Sequence, residues 1–117
     1  MAIQSNLSAA RINIATSDTT MLAAVTTPNR QAVTGFSIFN TTASTSLTVS
    51  IYESPDTTSA AGKKIASYTL PGLSSVDVVE CIGQGYSTGQ NLVAKAGSGS
   101  TGDLNAKLTW TAYSAGS

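Results

Sequence analysis

The chain has no histidine, a single cysteine, and charge on only 10% of its residues. Without His, neither a Ser-His-Asp nor a Cys-His arrangement can be assembled, and 17 Ser and 17 Thr lack the base that would activate one of them. The preferred zinc ligands are missing too, and Cys81 alone forbids an intrachain disulfide. Six basic residues (Arg11, Arg30, Lys63, Lys64, Lys95, Lys107) offset six acidic ones. That balance leaves no field to steer a polyanion, which sets aside nucleic acid and acidic membrane surfaces as partners. No stretch approaches the roughly 18 consecutive apolar residues of a membrane span. MAIQSNLSAARINIA has neither the basic start nor the apolar run of a secretory signal, so the chain is expected to stay in the cytoplasm until it assembles. Asn6-Leu7-Ser8 and Asn40-Thr41-Thr42 fit the glycosylation pattern, a match expected by chance in so hydroxyl-rich a chain.

What the sequence does have is alternation. In LTVSIYE, Leu47, Val49 and Ile51 alternate with Thr48, Ser50 and Tyr52; in LNAKLTWTAY, Leu104, Ala106, Leu108, Trp110 and Ala112 alternate with polar neighbours. Period two predicts strands with one dry face and one wet face. ARINIA, TMLAAV (Met21, Ala23, Val25), TGFSIF, KIASYTL, VDVVECI and NLVAKA repeat the pattern more weakly. About eight short strands result, separated by TSDTT, TTPNRQ, NTTAST, ESPDTTSAAGK, PGLSS, GQGYSTGQ and GSGSTGD, all dense in turn formers. No window keeps an apolar stripe at helical spacing. The expected fold is all-β: a single antiparallel β-sandwich, jelly-roll or immunoglobulin-like, over residues 9–117. Its length suits one domain that buries roughly 60 to 70% of its unfolded surface. Residues 1–8 show neither alternation nor turn signals, and read as an extended arm ordered by a neighbour through Ile3 and Leu7.

Chemistry is sparse. AKAGSGSTGDLNAKLTW invites comparison with a phosphate-binding loop, but Asp103 stands where that loop needs lysine, and the residues after it alternate like a strand. A β-hairpin between NLVAKA and LNAKLTW is expected instead, and GQGYSTGQ has the same explanation, with Tyr86 free to touch a partner. VDVVECI changes alternation between Val78 and Val79, which a bulge or burial of both faces would reconcile. On an unbulged strand Asp77 and Glu80 would lie on opposite faces, too far apart for paired-carboxylate catalysis. Cys81 reads as a partly buried, inert thiol in an apolar strand. No catalytic, cofactor or metal site is expected, and the protein reads as no enzyme. Trp110 shares its strand face with apolar residues and is expected in the core.

The run from Lys63 to Tyr113, with Leu70-Pro71-Gly72, Gly89-Gln90-Asn91-Leu92 and the last two strands, resembles small β-sandwich virion proteins of tailed bacteriophages. The likeness extends over roughly residues 34–113. It implies a structural protein assembled in the host cytoplasm into the virion, decorating and cementing the capsid through contacts with the major capsid protein. It also implies a homo-oligomer, a trimer at a three-fold position of the shell, or else a head, neck-fibre or tail component. Exposed sheet edges with few charges to guard them independently favour self-association. Partner contacts are expected at Ile3, Leu7 and Tyr86. A competing reading is a carbohydrate-binding module using Tyr52, Tyr68, Tyr86, Tyr113 or Trp110 as stacking platforms.

Overall fold

The computed structural model describes residues 5–23, 29–60, 62–82, 85–86, 90–97 and 102–114. Nine strands follow one another: β1 (Ser5–Ile14), β2 (Thr19–Leu22), β3 (Asn29–Asn40), β4 (Leu47–Ser54), β5 (Lys63–Leu70), β6 (Ser75–Asp77), β7 (Gly85–Tyr86), β8 (Asn91–Ala96) and β9 (Leu104–Ser114). No helix occurs among the described residues. The strands form two antiparallel sheets. A front sheet has the order β1-β9-β3-β6, with β7 also on β3, and a back sheet has the order β2-β8-β4-β5.

The wiring follows from doubling the chain at the β4–β5 connection. From there β4 pairs with β5, β3 with β6 and β7, β2 with β8, and β1 with β9. Rolling this doubled ribbon sets β9 against β3 and β8 against β4, closing both sheets. That is the jelly-roll form of the sandwich, which decides between the two architectures the alternation allowed.

Period two holds where it was strongest. Leu47, Val49 and Ile51 are buried from the back sheet, and Leu104, Ala106 and Leu108 face them from the front, with Ile14, Phe36 and Ile38 beside them. Three bulges adjust the phase. Thr34 is the extra residue between Val33 and Gly35 opposite β9, and it moves the inward set from Gln31 and Val33 to Phe36, Ile38 and Asn40. In β2 a shift at Met21 buries both Met21 and Leu22, so the strand stops there and Ala23 is exposed rather than inward. The third lies in β5, where Ile65 is the extra residue opposite Ile51 and Tyr52. Trp110 faces inward at the margin of the core, half-buried against it rather than fully enclosed.

Three expectations change. The glycine loop before Asp103 is no hairpin: β8 lies in the back sheet and β9 in the front, so the chain crosses between layers there. Each strand already has two better partners, and Gly102 takes the crossing at φ 85°, a conformation other residues resist. VDVVECI is neither bulged nor doubly buried. Its strand ends at Asp77 and a turn follows, closed by Cys81 N–H donating to the Val78 carbonyl at 3.0 Å. Val78 and Cys81 are buried while Val79 is 65% exposed, which accounts for the change of phase. Finally, the boundary drawn at residue 8 falls inside β1, where Ser5–Ser8 pair with Trp110–Tyr113 of the same chain.

Candidate interaction face

The residues that alternation turns away from the core cover the front sheet with a polar surface. β1 contributes Arg11 and Asn13, β9 Asn105 and Lys107, β3 Ser37 and Phe39, and β6 Ser75 and Asp77. Register arranges them in rows across the strands. One row runs Arg11, Lys107, Ser37, Asp77; the next runs Asn13, Asn105, Phe39, Ser75.

The first row places two cations directly opposite each other, an arrangement that costs stability in a strand pair. Among the described residues no ion pair neutralises either, and the carboxylate at the end of the row stands beyond Ser37. In the second row Asn13 Nδ2 donates to Asn105 Oδ1 at 2.7 Å and to the Gly102 carbonyl at 2.9 Å. Asn105 therefore accepts through its oxygen and keeps its amide hydrogens toward solvent. Phe39 beside it is 40% exposed.

Two shallow depressions mark this face. One of about 380 Å³ is lined by Arg11, Ser37, Phe39, Asn105, Ala106 and Lys107. A second of about 320 Å³ adjoins it across Ser37 and Lys107, with Asp77, Ile82 and Thr109 in its wall.

The back sheet presents a different surface. Lys64 Nζ sits 5.9 Å from the Tyr52 ring centroid, a cation–π contact on the outer side of β4 and β5. The Asp18 carboxylate accepts hydrogen bonds from the side chain and backbone of Ser59, which hold its pKa below the usual carboxylate value. Asp56 is lowered in the same way by the Thr58 hydroxyl and N–H, each at 2.7 Å. These bonds tie down the long β4–β5 connection.

Of the residues expected to meet a partner, Ile3 lies outside the described residues. Leu7 is in β1 opposite Thr111, and Tyr86 is in β7 opposite Gln31. Both fall at the same end of the front sheet, on its two opposite edges, with β9 and β3 between them. Tyr52, Tyr68 and Trp110 do not converge. Tyr52 faces outward on the back sheet, Trp110 packs on the core, and Tyr68 faces inward with its hydroxyl donating to the Glu80 carboxylate. Burial and that carboxylate push the Tyr68 pKa up to about 12. Tyr113 lies on β9 opposite Arg30. Among the described residues no group of three His, Cys, Asp or Glu could hold a metal ion, and no helix is long and apolar enough to cross a membrane.

No family model matches the chain, and no curated protein matches its sequence. A solved structure described as that of infectious bursal disease virus, Gt strain, is similar with a TM-score of 0.29 and 16% identity, over 97% of this chain and 37% of that one. The chain thus spans little more than a third of that protein's length.

The Arg11–Lys107 pairing was not visible in the sequence. Alternation places each cation on the wet side of its strand, but they are 96 positions apart and only the β1–β9 register sets them face to face.

Proposed function

We propose that this protein is a non-enzymatic structural component of a tailed-phage virion that decorates the capsid and stabilises it through contacts with the major capsid protein. The observation that carries this reading is the front sheet: a broad face in which unneutralised cations, amide donors and an exposed Phe39 lie together around an open depression rather than an enclosed cavity. Such a face suits protein contact. Jelly-roll sandwiches recur in capsids and in lectins, so the fold is compatible with the role without establishing it. Sequence resemblance over residues 34–113 points to the phage class within that range.

Self-association belongs to the same reading. Among the described residues β1 borders the front sheet with nothing paired to its outer side, and Arg11 is its one charged residue. Sister copies packing at such edges remove an aggregation liability, and a trimer at a three-fold position of the shell would do so for each copy at once.

The test adds purified protein to shells that lack it and measures binding and heat resistance. Saturable binding that raises the disruption temperature is expected, with a solution mass about three times that of one chain. Absence of shell binding, with recovery of the protein in tails, would overturn the decoration role.

A further inference from the structure

We infer that the Arg11–Lys107 pair is a carboxylate subsite and Phe39 its apolar neighbour, together receiving an extended partner segment that carries an acidic residue and, two positions on, an apolar one. The inference rests on the reading of the front sheet as a contact face and names the chemistry that face selects.

Three observations lead to it. The chain has only six cations, yet two are set directly opposite each other on neighbouring strands at a cost to the sheet. Nothing among the described residues offsets that cost in the chain itself, whereas a carboxylate placed between them would. Arg11 offers a planar fork that binds a carboxylate through two parallel bonds, and Lys107 adds a point charge about 5 Å away on the next strand.

Next, the same depression carries both kinds of contact. Arg11 and Lys107 line it with Phe39, and Ser37 and Asn105 bring further polar groups between them. Asn105 is oriented by Asn13, whose amide occupies its oxygen at 2.7 Å, so that its N–H groups are the ones presented.

Spacing supplies the last observation. The row holding the cations and the row holding Phe39 are two residues apart along the strands, or about 6.8 Å. Phe39 is thereby the diagonal neighbour of Lys107, about 7 to 8 Å away, close to the interval at which an extended peptide repeats its side chains on one face, so an acid at one position and an apolar group two positions later would meet both. A nucleic-acid strand is a poorer fit, since two cations on a neutral chain release too few counterions to hold a polyanion.

The experiment titrates the full isotopically labelled chain with three short capped peptides: one with a Glu-Thr-Leu centre, one with Gln for Glu, and one with Ser for Leu. The first should shift the amide signals of Arg11, Ser37, Phe39, Asn105 and Lys107. The Gln peptide should bind about tenfold more weakly and the Ser peptide a few-fold more weakly. Arg11→Gln and Lys107→Gln should each lose about tenfold in affinity for the first peptide while melting no lower than the parent.

Equal binding of the Glu and Gln peptides, shifts confined to other surfaces, or no shifts at all would overturn the assignment. Inorganic phosphate that moved the same signals and displaced the peptide at equal concentration would make this a free-anion site and overturn the peptide assignment, as would preferential binding of a single-stranded oligonucleotide. A parent protein that fails on shells but passes here removes the decoration role and leaves the subsite. The reverse result removes only the subsite.

Discussion

Replacing Asn40 by Ala should be the most damaging single polar substitution among the described residues. Asn40 ends β3 with its side chain fully buried. Its Nδ2 donates to the Leu70 carbonyl at 2.9 Å and to the Thr45 carbonyl at 2.8 Å, and its Oδ1 accepts from the Thr42 N–H at 3.0 Å and the Thr42 hydroxyl at 2.6 Å. One side chain therefore joins the end of β5 to the connection that leads from β3 to β4. Alanine removes all of these at once. Thr42 and Thr45 lie close enough to solvent for water to replace part of the loss, but the bond to Leu70 is buried and leaves an orphan carbonyl. At about 0.5 kcal/mol net for each of the three bonds that water partly replaces and about 1 to 3 for the buried orphan, the total is about 3 kcal/mol. For a domain of this length that lowers the melting temperature by about 12 °C.

Urea unfolding gives the cleaner measurement. The midpoint should fall by roughly 2 M with an unchanged slope, because the loss is local to the native state. Asn40→Asp serves as a companion variant: it keeps the acceptor, loses the two N–H donors, and faces the Leu70 and Thr45 carbonyls with negative charge. It should be no more stable than the Ala variant at neutral pH and should recover on acidification, as a protonated acid regains one donor. A loss below about 1 kcal/mol for Asn40→Ala would refute the view that this clamp holds the layer crossing.

Three further outcomes follow from the same structure. Lys107→Glu turns a like-charge cross-strand pair into an attractive one and should raise the melting temperature by about 1 to 3 °C while abolishing binding of the acidic peptide; an unchanged or lower melting temperature would show that the two cations do not feel each other. The Tyr68 pKa is raised by folding to about 12, so its contribution to stability is complete below the ordinary tyrosine value near 10 and is lost as pH climbs from there through about 12; ultraviolet titration should show one of the four tyrosines ionising last, and Tyr68→Phe should remove that step together with this part of the alkaline loss. Leu73 holds φ 55° with its side chain 59% exposed, so Leu73→Asn should stabilise by roughly 0.5 to 1 kcal/mol in thermal melts, and a loss of that size would mean the leucine has a packing role here.

How far the sequence could be read depended on how local each signal is. Alternation within one strand separates wet from dry, and it identified Leu47, Val49, Ile51, Leu104, Ala106 and Leu108 as buried and the whole as a sandwich. It says nothing about which sheet a strand joins. Two extended segments around Gly97, Gly99 and Gly102 therefore read as a hairpin although they lie in different layers. VDVVECI misled for a related reason: a turn that buries both Val78 and Cys81 looks, in one dimension, like a strand out of phase. Asn40 sits in a run of turn formers, and only the layer crossing encloses it. The cation pair depends on register between segments far apart in sequence, which no period within either of them encodes.

β9 lies in the middle of the front sheet, with β1 on one side and β3 on the other, yet it follows every other described strand. As the polypeptide leaves the ribosome, the back sheet can be completed once Ala96 has emerged. The front sheet cannot be built progressively in the same way. Until Leu104 to Ser114 arrive, β1 has no strand to pair with and β3 keeps one side open, so a long apolar-faced segment waits unprotected through most of synthesis. The final step then docks β9 on β3 and draws β1 onto its other side, closing a loop nearly as long as the chain itself, and it costs time more than stability. A nascent chain stalled before β9 would retain the back sheet and expose the inner sides of Ile12, Ile14, Phe36 and Ile38, which makes that interval the point at which chaperones or sister chains would compete for it.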